Sequence, residues 1–165
     1  KDFGRGTTSE TVSLPAILSQ NTSQDSLQLS LAHFEAFCRD AEVRMLAESL
    51  PPTLKSLTLF FEGCQKITDD GLKSLAQKLQ ICKSMRWLYL DFIGCTQICD
   101  EGLRSLLLSL PQGLQELELH FAGCAGIVSF SREELKRCLP KSLVMFTASF
   151  RGTALNQNFY SLAEL

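Results

Sequence analysis

Asp91, His120 and Ser149 are evenly spaced along the chain and carry the side-chain types of a nucleophilic hydrolase: an acid, an imidazole and a hydroxyl. That chemistry needs the hydroxyl proton within hydrogen-bond reach of the imidazole, and amide donors facing the developing oxyanion. No glycine-rich turn offers such donors. Equal spacing points instead to one slot in successive copies of a structural unit. Side chains standing parallel on adjacent strands do not converge on one reacting atom, so no catalytic residue is assigned and a non-enzymatic protein is expected. The alternative for these three is a polar ladder in which Asp91 pairs electrostatically with His120.

Cys64, Cys95 and Cys124 recur at a nearly constant interval. A tetrahedral metal site takes four ligands, which a straight row does not supply. Thr153 occupies the same slot in a fourth copy, as a hydrogen-bonding ladder tolerates and a metal site does not. The remaining cysteines, Cys38, Cys82, Cys99 and Cys138, form no CxxC pair, and the total of seven is odd. Reduced, buried thiols in a structural ladder are expected, with no metal or cofactor, in an intracellular setting, cytoplasmic or organellar.

The elements that must hold these slots read as a repeat. Leu54-Lys-Ser-Leu57-Thr-Leu59-Phe-Phe61-Glu-Gly63-Cys64 is matched one period later by Met85-Arg-Trp-Leu88-Tyr-Leu90-Asp-Phe92-Ile-Gly94-Cys95. It is matched again by Leu114 to Cys124, and once more by the weaker Leu143 to Thr153. Leu57, Leu59 and Phe61 alternate with period two, which predicts a strand. Ile67-Thr-Asp-Asp-Gly-Leu72-Lys-Ser-Leu75-Ala-Gln-Lys-Leu79 switches to helical spacing, with Thr68 or Asp69 as cap and acids suited to the positive helix end. Ile98 to Leu110 reproduces that helix, and Pro111 and Gly113 end it. In the third copy Ser131-Arg-Glu-Glu134 reads as a capping box, which predicts a helix about one turn shorter. Leu27, Leu29 and Leu31 with Val43, Leu46 and Leu50 form a degenerate first copy.

Leu-x-x-Leu-x-Leu, then Gly-Cys, then Ile-Thr-Asp-x-Gly-Leu-x-x-Leu resembles the cysteine-containing class of leucine-rich repeats, known from the repeat regions of F-box proteins. The resemblance covers about Leu27 to Thr153 and is most specific from Leu54 to Leu119. It implies an α/β fold, a curved leucine-rich-repeat solenoid with a parallel β-sheet on the concave side and helices on the convex side. Positions 1–25 would be an irregular or capping segment, and 26–165 four to five repeats, each about 29–31 residues long. The cysteine falls two positions later than in that class, which predicts a longer strand or one bulged at the glycine. The F-box association implies, as the alternative function, substrate recognition for a ubiquitin ligase, although positions 1–25 show no F-box-like pattern.

Bulk composition narrows the rest. Sixteen Lys and Arg against eighteen Asp and Glu, without a basic patch, argue against nucleic acid. No apolar run approaches a membrane span; Leu106 to Leu108 is broken by Ser109 and Pro111. The chain opens on Lys1, so an upstream segment is expected, and Ala163-Glu-Leu165 reads as the start of a further helix that more repeats or a partner would cover. The tail from Leu155 to Leu162 is amphipathic and could cap the last unit.

Function is expected on the strand positions that do not serve the core. Aligning the copies gives one row of Gln28, Thr58, Tyr89, Glu118 and Thr147, and a second of Ser30, Phe60, Asp91, His120 and Ser149. Glu62, Ile93, Ala122 and Arg151 form a third row at the strand ends, with Trp87 near the opposite edge. Aromatics beside charge are what interface anchors look like. A protein-binding face of Phe60, Thr58, Tyr89, Asp91, Glu118, His120, Trp87 and Arg151 is therefore expected, in an interaction or scaffold module or an accessory subunit of a larger complex.

Overall fold

The structure, a computed structural model, describes residues 25–32 and 38–165. The segment 1–24 of the expected N-terminal region lies outside the described residues. Among those described, five strands alternate with four helices: β1 (Ser26–Ser30), α1 (Asp40–Ser49), β2 (Ser56–Phe60), α2 (Asp69–Ile81), β3 (Trp87–Asp91), α3 (Asp100–Leu108), β4 (Glu116–His120), α4 (Arg132–Cys138) and β5 (Met145–Ser149). A two-residue strand, β6 (Asn158–Phe159), and a 3-10 turn at Leu162–Glu164 follow. The chain is thus α/β, with a six-stranded sheet in the order β1-β2-β3-β4-β5-β6, parallel except for its last pair.

The period-two pattern fixes which face of this sheet is dry. Leu57, Leu88, Leu117 and Phe146 stand in register, as do Leu59, Leu90, Leu119 and Ala148, and all are buried. Leu72, Leu75 and Leu79 of α2 and Leu103 and Leu106 of α3 close over them in one continuous core. Just past each strand a phenylalanine continues the inward set. Phe61, Phe92, Phe121 and Phe150 stack ring on ring at centroid separations of 4.9, 5.4 and 5.8 Å. Offset stacking of this kind adds about 0.5–1.5 kcal/mol per pair beyond area burial.

The strands are not lengthened, nor bulged, to accommodate the two extra positions. Each of β2 to β5 has five residues, and Gly63, Gly94, Gly123 and Gly152 turn the chain with φ between +73° and +76°. Side-chain-bearing residues rarely adopt that conformation, which is why glycine recurs there. The turn still bonds to the next unit: Phe61 N donates to Asp91 O at 2.7 Å and Gly63 N to Ile93 O at 2.8 Å.

Three devices tie successive units together. Cys64 Sγ donates to Leu31 O (3.3 Å), Cys95 Sγ to Phe61 O (3.2 Å) and Cys124 Sγ to Phe92 O (3.1 Å), each bond reaching back one unit. Thr153 departs from this ladder, since its hydroxyl donates to Phe150 O of its own unit. Burial pushes the Cys95 thiol far above its ordinary range and the Cys124 thiol to about 12, so both stay protonated donors. Cys99 is exposed, against the expectation of uniformly buried thiols, and no disulfide links the seven cysteines.

The second device is a ladder of carboxylates at the first residue of each long helix. Asp40 accepts from Thr68 N and Oγ1 and from Gly71 N (2.8, 2.7 and 3.0 Å). Asp69 accepts from Cys99 N at 2.8 Å. Asp100 accepts from Ser129 N and Oγ and from Phe130 N, anchoring the loop that leads into α4. Gly102 is required by this contact: a Cβ there would lie 2.9 Å from Asp69 Cγ and 3.0 Å from Asp69 Cα. The first-turn carboxylates that favour the helix N-termini therefore also bond across units.

The third device is the tail. Phe150 N donates to Gln157 O at 2.9 Å, and β6 runs antiparallel to β5 with Ser149 opposite Asn158. Phe159 is fully buried, its ring 6.2 Å from both Phe146 and Phe150. The expected further helix is only a 3-10 turn. Helix α4 has seven residues, and Ser131 Oγ accepts from Glu134 N at its start, as the shortened pattern predicts. No helix among the described residues is long and apolar enough to cross a membrane.

Candidate functional site

The sheet face turned away from the helices is built by the alternate strand positions, and the register brings the expected residues together. Thr58, Tyr89 and Glu118 form one row; Phe60, Asp91 and His120 form the next. Trp87 stands beside Ser56 and Glu116 in the row before them. Arg151 lies exposed in the turn after β5.

On this face the aromatic side chains touch. The Phe60 and Tyr89 centroids are 5.0 Å apart, Trp87 and Tyr89 stack at 6.2 Å, and His120 lies 5.2 Å from Tyr89 on the other side. Four rings from three adjacent strands thus form one half-buried platform centred on Tyr89. Two of the expected surface residues are not exposed: Thr58 and Asp91 retain only 8% and 7% of their surface. Each lies in register with a large ring-bearing neighbour, Tyr89 beside Thr58 and Phe60 and His120 on either side of Asp91.

The electrostatics of the platform are acidic. Burial raises the Asp91 carboxyl above its usual range, partly offset by the Ile93 amide and His120. Burial likewise pushes the Tyr89 phenol up to about 12, helped by the negative charges of Asp91, Glu118 and Glu62. His120 Nε2 and Glu118 Oε1 are 2.8 Å apart. Asp91 Oδ1 accepts from the Ile93 amide at 2.9 Å, so the imidazole's hydrogen-bond partner is Glu118, while Asp91 and His120 interact through charge. Ser149 Oγ donates to Asn158 Oδ1 at 2.8 Å. The three hydrolase-type residues are thus each bonded elsewhere, and no Asp-His-Ser relay connects them.

Glu116 also belongs to this face, beyond the residues expected of it. Its signal is the Glu116-Leu-Glu118-Leu alternation, which sends both glutamates outward from β4. A cleft of about 400 Å³ lies instead between α1 and α2, lined by Arg44, Glu48, Gln77 and Ile81 among others, and takes in none of the platform. Among the described residues no group of three His, Cys, Asp or Glu side chains is placed to hold a metal ion.

No protein-family model and no curated protein matches this chain. The site is therefore defined by its geometry alone: aromatic rings set among carboxylates on a sheet face the helices leave open.

Proposed function

We propose that the stacked units form a leucine-rich-repeat solenoid and that the chain works as a non-enzymatic protein-binding module, its open sheet face lying on the concave side as the partner surface. The observation that carries this reading is the contiguous platform of Phe60, Trp87, Tyr89 and His120. Aromatic clusters of this kind supply large contact area at little conformational cost and are enriched among the residues that dominate interface energetics. The repeat pattern and the in-register parallel strands support the fold assignment. The separate engagement of Asp91, His120 and Ser149 supports the absence of hydrolytic chemistry.

The test is affinity purification from the native source with the wild type and with Phe60→Ala and Tyr89→Ala, each checked for retained fold by circular dichroism. At least one protein should be captured by the wild type and lost from both variants, at a cost of about 2 kcal/mol or more per anchor. If both folded variants retain every partner, the face is not the binding surface.

A further inference from the structure

Protein partners differ in the chemistry they bring, and this face is selective. Its outward positions carry the carboxylates Glu62, Asp91, Glu116 and Glu118, against one permanently charged base among the described residues, Arg151. Lys55, at the entrance to β2, is already occupied by Asp25 at 2.8 Å. The carboxylates border the rings rather than lying apart from them: Asp91 follows Tyr89 by two positions on β3, and Glu118 pairs with Tyr89 across the strands. Glu118 uses Oε1 for His120 and Asp91 uses Oδ1 for the Ile93 amide; the second oxygen of each has no partner among the described residues.

An apolar partner covering this platform would strip water from these carboxylates and return nothing, which is costly. An anionic partner would meet repulsion. A cation satisfies both halves of the surface at once. Arginine fits better than lysine because its planar guanidinium stacks on an aromatic face while its edge donates to carboxylate oxygens.

Resting on the binding-module reading above, we infer that the face takes an extended, arginine-bearing segment of a partner protein, with a guanidinium lying over the Tyr89 and Trp87 rings, donating to Glu118 and drawn by the charge of the nearly buried Asp91 beside it. The phenol and the carboxyl on this face are both raised first by burial and then by the neighbouring negative charges, which for Asp91 the Ile93 amide and His120 only partly offset.

The probe is a short synthetic peptide in which arginine alternates with glycine and serine, compared with its lysine and glutamate counterparts. Trp87 is the only tryptophan in the chain, so its emission reports occupancy of the platform directly. The arginine peptide should change that emission saturably at low salt, the lysine peptide should bind about tenfold more weakly, and the glutamate peptide should not bind. Affinity for the arginine peptide should fall about tenfold or more in each of Tyr89→Ala, Glu118→Gln and Asp91→Asn, since tenfold corresponds to about one charge-assisted contact. Higher ionic strength should weaken binding as well.

Asp91→Asn guards against misreading an unfolded variant. Its carboxyl is raised in the folded state, so the charge opposes folding at neutral pH, and the amide should fold at least as well while binding less. No saturable change, or equal binding of the arginine and lysine peptides by wild type and all three variants, overturns the inference. The two readings also fail separately. A natural partner lost from Phe60→Ala and Tyr89→Ala but kept by Glu118→Gln and Asp91→Asn, and insensitive to salt, preserves the face and excludes the cation. A natural partner kept by every variant overturns both.

Discussion

The Tyr89 phenol sits at the centre of the platform with rings on three sides and three carboxylates acting on it, which holds its proton to about pH 12 instead of about 10. The consequence for stability has a definite sign. In the unfolded chain the phenol ionises near pH 10 and in the folded chain near pH 12, so the folded state binds more protons in between. Its contribution is full below about pH 10 and is lost as pH rises through about 12. The phenolate absorbance of the wild type minus that of Tyr89→Phe should therefore show a step centred near pH 12. The variant should also lose less stability than the wild type between those limits. A step near pH 10 would mean that the platform is open to water and that the acidic ring cluster is not formed. The types and row positions of these residues are legible in the sequence, because period-two alternation assigns each to a face. The burial of Thr58 and Asp91 is not, since it depends on which cross-strand neighbour is large. Nor is the choice of Glu118 over Asp91 as partner to His120, because a side chain two positions along the same strand competes with one directly across.

At the scale of elements, the tail is the instructive case. The helices and strands of the central units follow from spacing, because the same apolar slots recur and each occurrence reinforces the others. β6 has no such support: the amphipathic stretch Leu155 to Leu162 matches no slot of the repeat, and the strand is set by its pairing with β5 and by the seating of Phe159 against Phe146 and Phe150. The glycine turns mislead for a related reason. The alternation Leu57, Leu59, Phe61 runs past the end of β2 and imitates a longer strand, while the actual break lies in the backbone conformation of Gly63. Ser131, by contrast, correctly marks a helix start, because capping chemistry is local, although the expected box is only half formed: Glu134 turns its carboxylate to Arg104 rather than back to the Ser131 amide. Phe159→Ala removes the one fully buried side chain of β6 and leaves the outer edge of Phe146 and Phe150 unfilled. It should cost about 3–5 kcal/mol in urea denaturation, the range for truncating a buried phenylalanine. A loss under about 1 kcal/mol would show that the tail lies on the last unit without contributing to it.

Across the whole molecule, the substantial contacts join elements that neighbour one another in order: α1 to α2, α2 to α3, and each strand to the next. Stability in such an array is close to a sum of unit and nearest-neighbour terms, so damage should spread only as far as its neighbours. Two buried phenylalanines give a direct test, because Phe92 and Phe159 differ in position and not in side-chain type. Phe92 is stacked on both sides, against Phe61 and Phe121, whereas Phe159 lies at the end of the array against Phe146, Phe150 and the Arg132 guanidinium of α4. Phe92→Ala should accelerate amide hydrogen exchange in β2, β3 and β4 together, since it loosens the interface in both directions. Phe159→Ala should accelerate exchange in β5 and β6 while leaving β2 and β3 as protected as in the wild type. The proposed binding face would then survive the second substitution and not the first, because Phe60, Trp87, Tyr89, Glu118 and His120 all sit on β2 to β4. Equal acceleration throughout by Phe159→Ala would mean that the chain opens as one unit, and the platform could then not be separated energetically from the C-terminal edge.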